Sequence, residues 1–335
     1  MELRLNDMDL SKLTKKVITV PRGFEYTYYT VAAQDSKPTL LLFHGWPDTS
    51  RLWAGFINQF LIPNGYGVIA VDCLGFGGSS KPTDPVHYSW QKMAADALHI
   101  LDTEEILQVV SVGHDWGSAV ASRFYNFHPS RVSGLVNVNV RYMPPITNFD
   151  LDTMNKRTKE AFGYSPNIYW SFMVAEDSAD IMDNHLESLY SVMFGSPETY
   201  LETLCAPDGL RNFLTQDCTQ PTMPYATAEH KADFIDRVGK DGVASTLCHY
   251  TALTTGVQTR SDSLLDQKPV DVPVLFWGGE RDYICKPALV QSVIATGCLP
   301  NIKVVTRDGG HWALLEKPAE FGQDVLEWLG TAFGA

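Results

Sequence analysis

The chain has 335 residues, of which 44% are hydrophobic and 19% charged, and its formal net charge is −13. This is the composition of a globular protein with one large core or a core carrying an insertion. An acidic chain without a Lys/Arg cluster argues against nucleic acid or an anionic membrane surface as partner. The first 20 residues carry charge throughout and lack an apolar h-region, so no signal peptide is expected. No apolar run approaches the ~20 residues of a membrane span. Six Cys without a CxxC pair read as reduced thiols of a cytoplasmic protein.

Residues 15–33 alternate as two antiparallel strands turning at Pro21-Arg22-Gly23. The apolar run Thr39-Leu40-Leu41-Leu42-Phe43 suits a strand buried on both faces and ends in His44-Gly45-Trp46-Pro47. A helix is expected from about Ser50 to Leu61, then a strand Val68–Asp72 leading into the loop Gly75-Phe76-Gly77-Gly78-Ser79. Ser89–Leu101 reads as helix, Val109–Gly113 as strand, the stretch to Phe127 as helix and Val132–Val138 as strand. This alternation predicts an α/β fold with a mostly parallel, doubly wound sheet. Met143-Pro144-Pro145 breaks the pattern, and residues 145–260 hold helix-like stretches rich in Tyr, Met and Trp. The α/β pattern resumes with a strand Val272–Gly278, a helix Lys286–Thr296, a strand Ile302–Val305 and a closing helix Pro318–Phe333 with Pro in its first turn. The expected division is a first core part over 1–142, a helical cap over 143–260 and a second core part over 261–335.

The chemistry centres on Gly113-His114-Asp115-Trp116-Gly117. A strand that ends in Gly-x-nucleophile-x-Gly and turns straight into a helix is the nucleophile elbow. Here the central residue is Asp115 rather than Ser. A carboxylate is ionised at neutral pH and needs no base before it attacks. It suits attack on an sp3 carbon, with ring opening or halide displacement, better than ordinary ester or peptide hydrolysis.

Loops after parallel strands converge at the strands' C-terminal edge. The backbone N–H groups of Trp46 and Trp116 are candidates for an oxyanion hole around the carboxyl oxygen of Asp115. The Trp46-Pro47 bond is a candidate cis peptide. Gly278-Gly279-Glu280-Arg281-Asp282 and Gly309-Gly310-His311-Trp312 follow the last two strands, and of the nine His only His311 sits in such a Gly-rich loop. His311 is the candidate base, and Asp282 is favoured to orient it because it lies late in its loop, with Asp308 and Glu280 as rivals.

Taken together, Gly113-His114-Asp115-Trp116-Gly117, His44-Gly45-Trp46-Pro47, Asp282 and Gly310-His311-Trp312 resemble the soluble epoxide hydrolases of the α/β-hydrolase superfamily, over about residues 20–330. The resemblance implies an α/β-hydrolase fold with an inserted helical lid, and no cofactor or metal. It implies that two lid tyrosines hold and protonate the epoxide oxygen. Tyr169 and Tyr250 match those positions, with Tyr190 and Tyr200 as alternatives. The surroundings of the second differ: the family often has Asn-Trp-Tyr-Arg, and this chain has Cys248-His249-Tyr250-Thr251. His44, Pro47, His114, Trp170, Phe172 and Trp312 are expected to line the pocket of a small apolar epoxide. Competing readings are a haloalkane or haloacetate dehalogenase with the same Asp-His-Asp set, and a non-catalytic binding protein of the same fold. No nucleic acid or membrane anchor is expected as partner, and a homodimer is one option for assembly.

Overall fold

The structure, a computed structural model, describes residues 8–334. Eight strands form one sheet: β1 (Thr14–Thr19), β2 (Glu25–Val31), β3 (Thr39–Phe43), β4 (Gly67–Val71), β5 (Val109–His114), β6 (Val132–Val138), β7 (Val274–Gly279) and β8 (Ile302–Arg307). Their order is β1-β2-β4-β3-β5-β6-β7-β8. The β1–β2 hairpin joins β4 antiparallel, and every later pairing is parallel. Leu40, Leu41, Leu42, Val109, Val110 and Val112 are fully buried, as central strands covered on both faces must be. At the hairpin, Gly23 takes φ 83°, a left-handed conformation that costs glycine nothing.

Three expected boundaries shift. Ser50–Leu61 is not one helix: a 3-10 turn (Ser50–Trp53), one α turn (Ala54–Phe56) and a π turn (Ile57–Leu61) follow one another. The cause is aromatic packing on the closing helix Pro318–Phe333. The Phe321 ring lies 6.4 Å from Trp53 and 4.8 Å from Phe56, and Phe60 fills the place a Cβ on Gly322 would take. Tertiary packing of this kind overrides local propensity. The helix expected over Lys286–Thr296 shrinks to Leu289–Ile294, held short by Pro287 before it and by Gly297 at φ 75° after it. β7 starts at Val274 because Pro273 has no N–H to give to a ladder.

Between β6 and β7 the chain is helical, from Leu151–Phe162 through Trp170–Met173, Leu186–Met193, Ala228–Asp241 and Ala244–Thr254 to Val257–Asp262. Both crossings to and from the sheet meet at one side chain. Arg123, on the helix Trp116–Phe127, bonds Asp262 through Nε at 2.7 Å and Nη2 at 2.5 Å and donates to the carbonyls of Met143 (2.6 Å) and Pro144 (3.2 Å). Asp262 also accepts the Ile146 N–H at 2.9 Å. Both charged side chains have 0% exposure.

Candidate active site

β5 runs into the helix Trp116–Phe127 through Asp115, whose φ of 53° and ψ of −125° are strained for a non-glycine residue. Small residues permit the turn. A Cβ on Gly117 would meet the carbonyls of Phe43 and His44, and one on Gly45 would overlap the Asp115 side chain. Asp115 therefore projects at the C-terminal edge of the sheet, against the loop that follows β3. The Trp46 N–H donates to its Oδ1 at 3.0 Å, and the Trp116 N–H also bonds this carboxylate. The Trp46-Pro47 peptide is cis.

The loops after β7 and β8 bring Asp282 and His311 to the same place. His311 Nε2 lies 3.5 Å from Asp115 Oδ2, and its Nδ1 lies 2.9 Å from Asp282 Oδ2. Asp282 is fully buried. Its Oδ1 accepts the backbone N–H groups of Ile284 (3.0 Å) and Cys285 (2.8 Å), and its Oδ2 also accepts from Asn139 Nδ2 at 2.8 Å. The rival acids point elsewhere: Asp308 bonds Arg281 and Glu280 bonds Thr306.

Charge follows from these contacts. Burial alone would push the His311 pKa down, but the Asp282 carboxylate, the adjoining Cys285 and the bonds to Asp115 and Asp282 lift it well above the ordinary value. Burial would raise Asp115, yet the hydrogen bond and charge of His311 hold it low; Asp282 is held low by the same histidine. For His44 and His114 burial outweighs the nearby carboxylates, and both are pushed down to about 4 and stay neutral. His311 is thus set apart from its neighbours by its carboxylates. Asp282, Cys285 and His311 also have ligand-type atoms within 4.8 Å of one another, but Asp282 and His311 are already bonded to each other.

Tyr169 and Tyr250 are buried in an aromatic cluster over Asp115. Their rings are 6.3 Å apart, and Tyr250 meets Trp116 edge to face at 5.0 Å. Burial raises both phenol pKa values; for Tyr250 the Asp115 charge is the next cause, and for Tyr169 it follows Tyr250. Both therefore keep their protons at neutral pH. The alternatives are engaged elsewhere, Tyr190 with His230 Nδ1 at 2.9 Å and Tyr200 with the Met193 carbonyl.

A cavity of about 250 Å³ opens beside Asp115, walled by Trp116, Tyr169, Trp170 and apolar side chains such as Met143, Phe149 and Leu253. Of the expected pocket residues only Trp170 lines it. His44 accepts the Cys73 N–H at 3.0 Å behind the loop, and His114 bonds the His311 carbonyl at 2.9 Å. Pro47 offers its carbonyl to Arg237, Phe172 packs under Arg211, and Trp312 donates to Asp48 at 2.9 Å. For His114 the physical reason is alternation: it is the last residue of β5, next to the cavity-lining Asp115, and successive strand residues point to opposite sides. Two site residues were missed. Asn139, at φ 61°, ties Asp282 to the Gly310 carbonyl (3.1 Å). Asp48, buried beneath Trp312, has its pKa raised by burial to about 6. Asn139 was findable, since it is the first residue after β6 at the edge where the other loops converge.

Sheet, elbow and site together define the class, and residues 38–318 match the alpha/beta hydrolase fold family: the chain belongs to it. Within that class it resembles epoxide hydrolases. Epoxide hydrolase 3 of Siraitia grosvenorii is 36% identical over 318 residues, covering 89% of this chain and 94% of that protein. Bifunctional epoxide hydrolase 2 of Mus musculus is 28% identical over 318 residues, covering 94% of this chain and 55% of that one. The chain thus spans about half the length of the mammalian relatives it matches. The crystal structure of epoxide hydrolase A from Mycobacterium thermoresistibile shares the fold, with a TM-score of 0.77 at 23% identity over 95% of this chain and 98% of that one. No helix among the described residues is long and apolar enough to cross a membrane.

Proposed function

We propose that the protein hydrolyses an epoxide to a vicinal diol through an ester formed on Asp115. The observation that carries this reading is an elbow carboxylate set between a carboxylate-bound histidine, 3.5 Å away, and two buried, protonated phenols. The names of the relatives support the substrate class. Tyr169 and Tyr250 hydrogen-bond the epoxide oxygen and one of them protonates it as the C–O bond breaks. Asp115 Oδ2 attacks the ring carbon from the opposite side, and the helical segment closes over the reaction as a lid.

Ester formation then prepares the second step. His311 is kept protonated in part by the Asp115 anion; once that anion becomes a neutral ester, this support is gone and the ring gives up its proton, which restores the phenol that protonated the epoxide oxygen. The neutral imidazole, oriented by Asp282, takes a proton from water as the water attacks the ester carbonyl. The oxygen of that carbonyl is Asp115 Oδ1, and the N–H groups of Trp46 and Trp116 stabilise the negative charge it acquires. As this intermediate collapses, the bond to the substrate oxygen breaks, the leaving alkoxide takes the proton of the added hydroxyl and departs as the diol, and Asp115 returns as a carboxylate beside the protonated His311.

The test is a trapped ester. With a styrene-type epoxide, His311→Gln should gain the mass of one substrate while diol formation stops, and Asp115→Ala should do neither. An His311→Gln protein that stays unmodified overturns the assignment of steps. Halide release from haloalkanes by the wild type, without diol from epoxides, overturns the reaction class.

A further inference from the structure

Arg141 lies in the wall of the cavity together with Asp115 and Tyr169. Its Nε is closed off from solvent and has no hydrogen-bond partner among the described residues. Burial draws its pKa down, and the one ionisable neighbour that acts against this is the Cys285 thiol, which burial keeps protonated, not a carboxylate. A guanidinium does not lose its proton in a protein, so a positive charge stands in the cavity without a counter-ion. Other arginines of the chain show what is usual here. Arg123 has Asp262, Arg22 has Asp96, Arg307 has Asp324, and Arg281 has Asp308, Glu198 and Glu316. With 39 acidic residues against 26 basic ones, carboxylates are plentiful, and Arg141, half-buried with its Nε closed off, is a charge partly withdrawn from water and left unpaired, which costs folding energy.

A second cation adds to the first. Lys286, next in the chain to Cys285, also lines the cavity, and its ammonium lies 4.4 Å from the Tyr283 ring and 5.5 Å from that of Tyr164. Asp115 is the sole acidic residue in the wall, and ester formation removes its charge. The wall itself therefore holds two cations against one carboxylate, with the Asp282 charge acting on Lys286 from behind it.

We propose that Arg141 is a specificity residue that binds a carboxylate borne by the substrate, with Lys286 reinforcing it, so that the preferred substrate is an epoxide whose acid group sits in the same cavity. The inference rests on the epoxide reading above. Arg presents a planar fork of N–H groups that matches a carboxylate with two parallel bonds. The apolar wall from Met143 to Met154 and Leu253 holds the carbon chain between acid and epoxide.

The experiment compares ω-epoxy carboxylates of increasing chain length with their methyl esters, in which the ring carbons are electronically alike. The wild type should favour the acids in kcat/KM by about tenfold or more, with an optimum at one chain length. Arg141→Gln should lose that ratio, and Arg141→Lys should restore part of it. The thermal midpoint of Arg141→Gln should not fall, because the charge removed has no partner. An acid-to-ester ratio near one in the wild type, or one unchanged in Arg141→Gln, overturns the proposal. Titration calorimetry with the dihydroxy carboxylate decides it without turnover: binding weakened about tenfold in Arg141→Gln supports the anion site, and equal binding refutes it. If acids and esters alike go unhydrolysed while this titration shows Arg141-dependent binding, the reaction class fails and the anion site stands.

Discussion

The edge of the sheet and the helical segment above it hold their functional groups by different means. At the sheet edge, Asp115, Asp282 and His311 hang on strand ends, and backbone N–H groups and buried carboxylates fix their orientations. In the helical segment, Tyr169 and Tyr250 are set by rings packed edge to face, Trp116, Trp170 and Trp46 among them. Hydrogen bonds to backbone specify position closely, whereas aromatic packing specifies a volume, within which the two phenols bond each other and the neighbouring Trp116 and Trp170. The comparison predicts a steep response to small changes below the cavity and a graded one above it.

Asp262→Ala attacks the junction of the two regions and should have the largest effect on stability. It strands the Arg123 charge in a site with 0% exposure, at a cost of about 3–5 kcal/mol, measurable by urea unfolding. Next comes Gly45→Ala. The new Cβ would overlap Asp115, and displacing a reacting group by about 1 Å costs roughly 100-fold in rate. Its thermal midpoint should change far less than its kcat. Above the cavity, Tyr250→Phe and Tyr169→Phe should each lower kcat by about tenfold, and the double variant by about 100-fold or more. A single replacement as damaging as the double would break the comparison, since it would mean that the helical segment positions its groups as tightly as the sheet does.

The smallest effect concerns Asp48. Its pKa rises from an ordinary 3.8 to about 6 because burial disfavours the anion. The folded state therefore binds this proton more tightly than the unfolded chain, and wild-type stability falls as pH rises through the window between those values. Asp48→Asn keeps an acceptor for Trp312 Nε1 and should be more stable than wild type at pH 7, by about 1–3 kcal/mol. The advantage should vanish near pH 4, as thermal unfolding across pH will show.

How much was legible follows from the same contrast. The strand order along the chain and the convergence of the loops holding Asp115, Asp282 and His311 could be read because apolar runs and Gly-rich loops mark strand ends. The tyrosines had no such mark: 14 Tyr are present, and only likeness to a family picked out two. Asn139 and Arg141 were passed over because the stretch after β6 was read as a break in the pattern rather than as a fifth loop at the same edge. His44 and His114 were read as pocket residues because they belong to the motifs, although the Cys73 N–H holds the ring of the first behind the loop and alternation turns the ring of the second away from the cavity. The turn types between Ser50 and Leu61 depend on a helix more than 250 residues further on, a distance that local periodicity does not register.

The junction at Arg123 has a further consequence. The chain leaves the sheet at Met143–Ile146 and returns at Asp262, and both ends are gripped by the same guanidinium and its carboxylate. The helical segment is thus a loop with adjoining ends, a cassette seated on a fixed socket. A graft that preserves the socket can exchange one cassette for another, and with it the shape offered to a substrate, while the strands below keep their register.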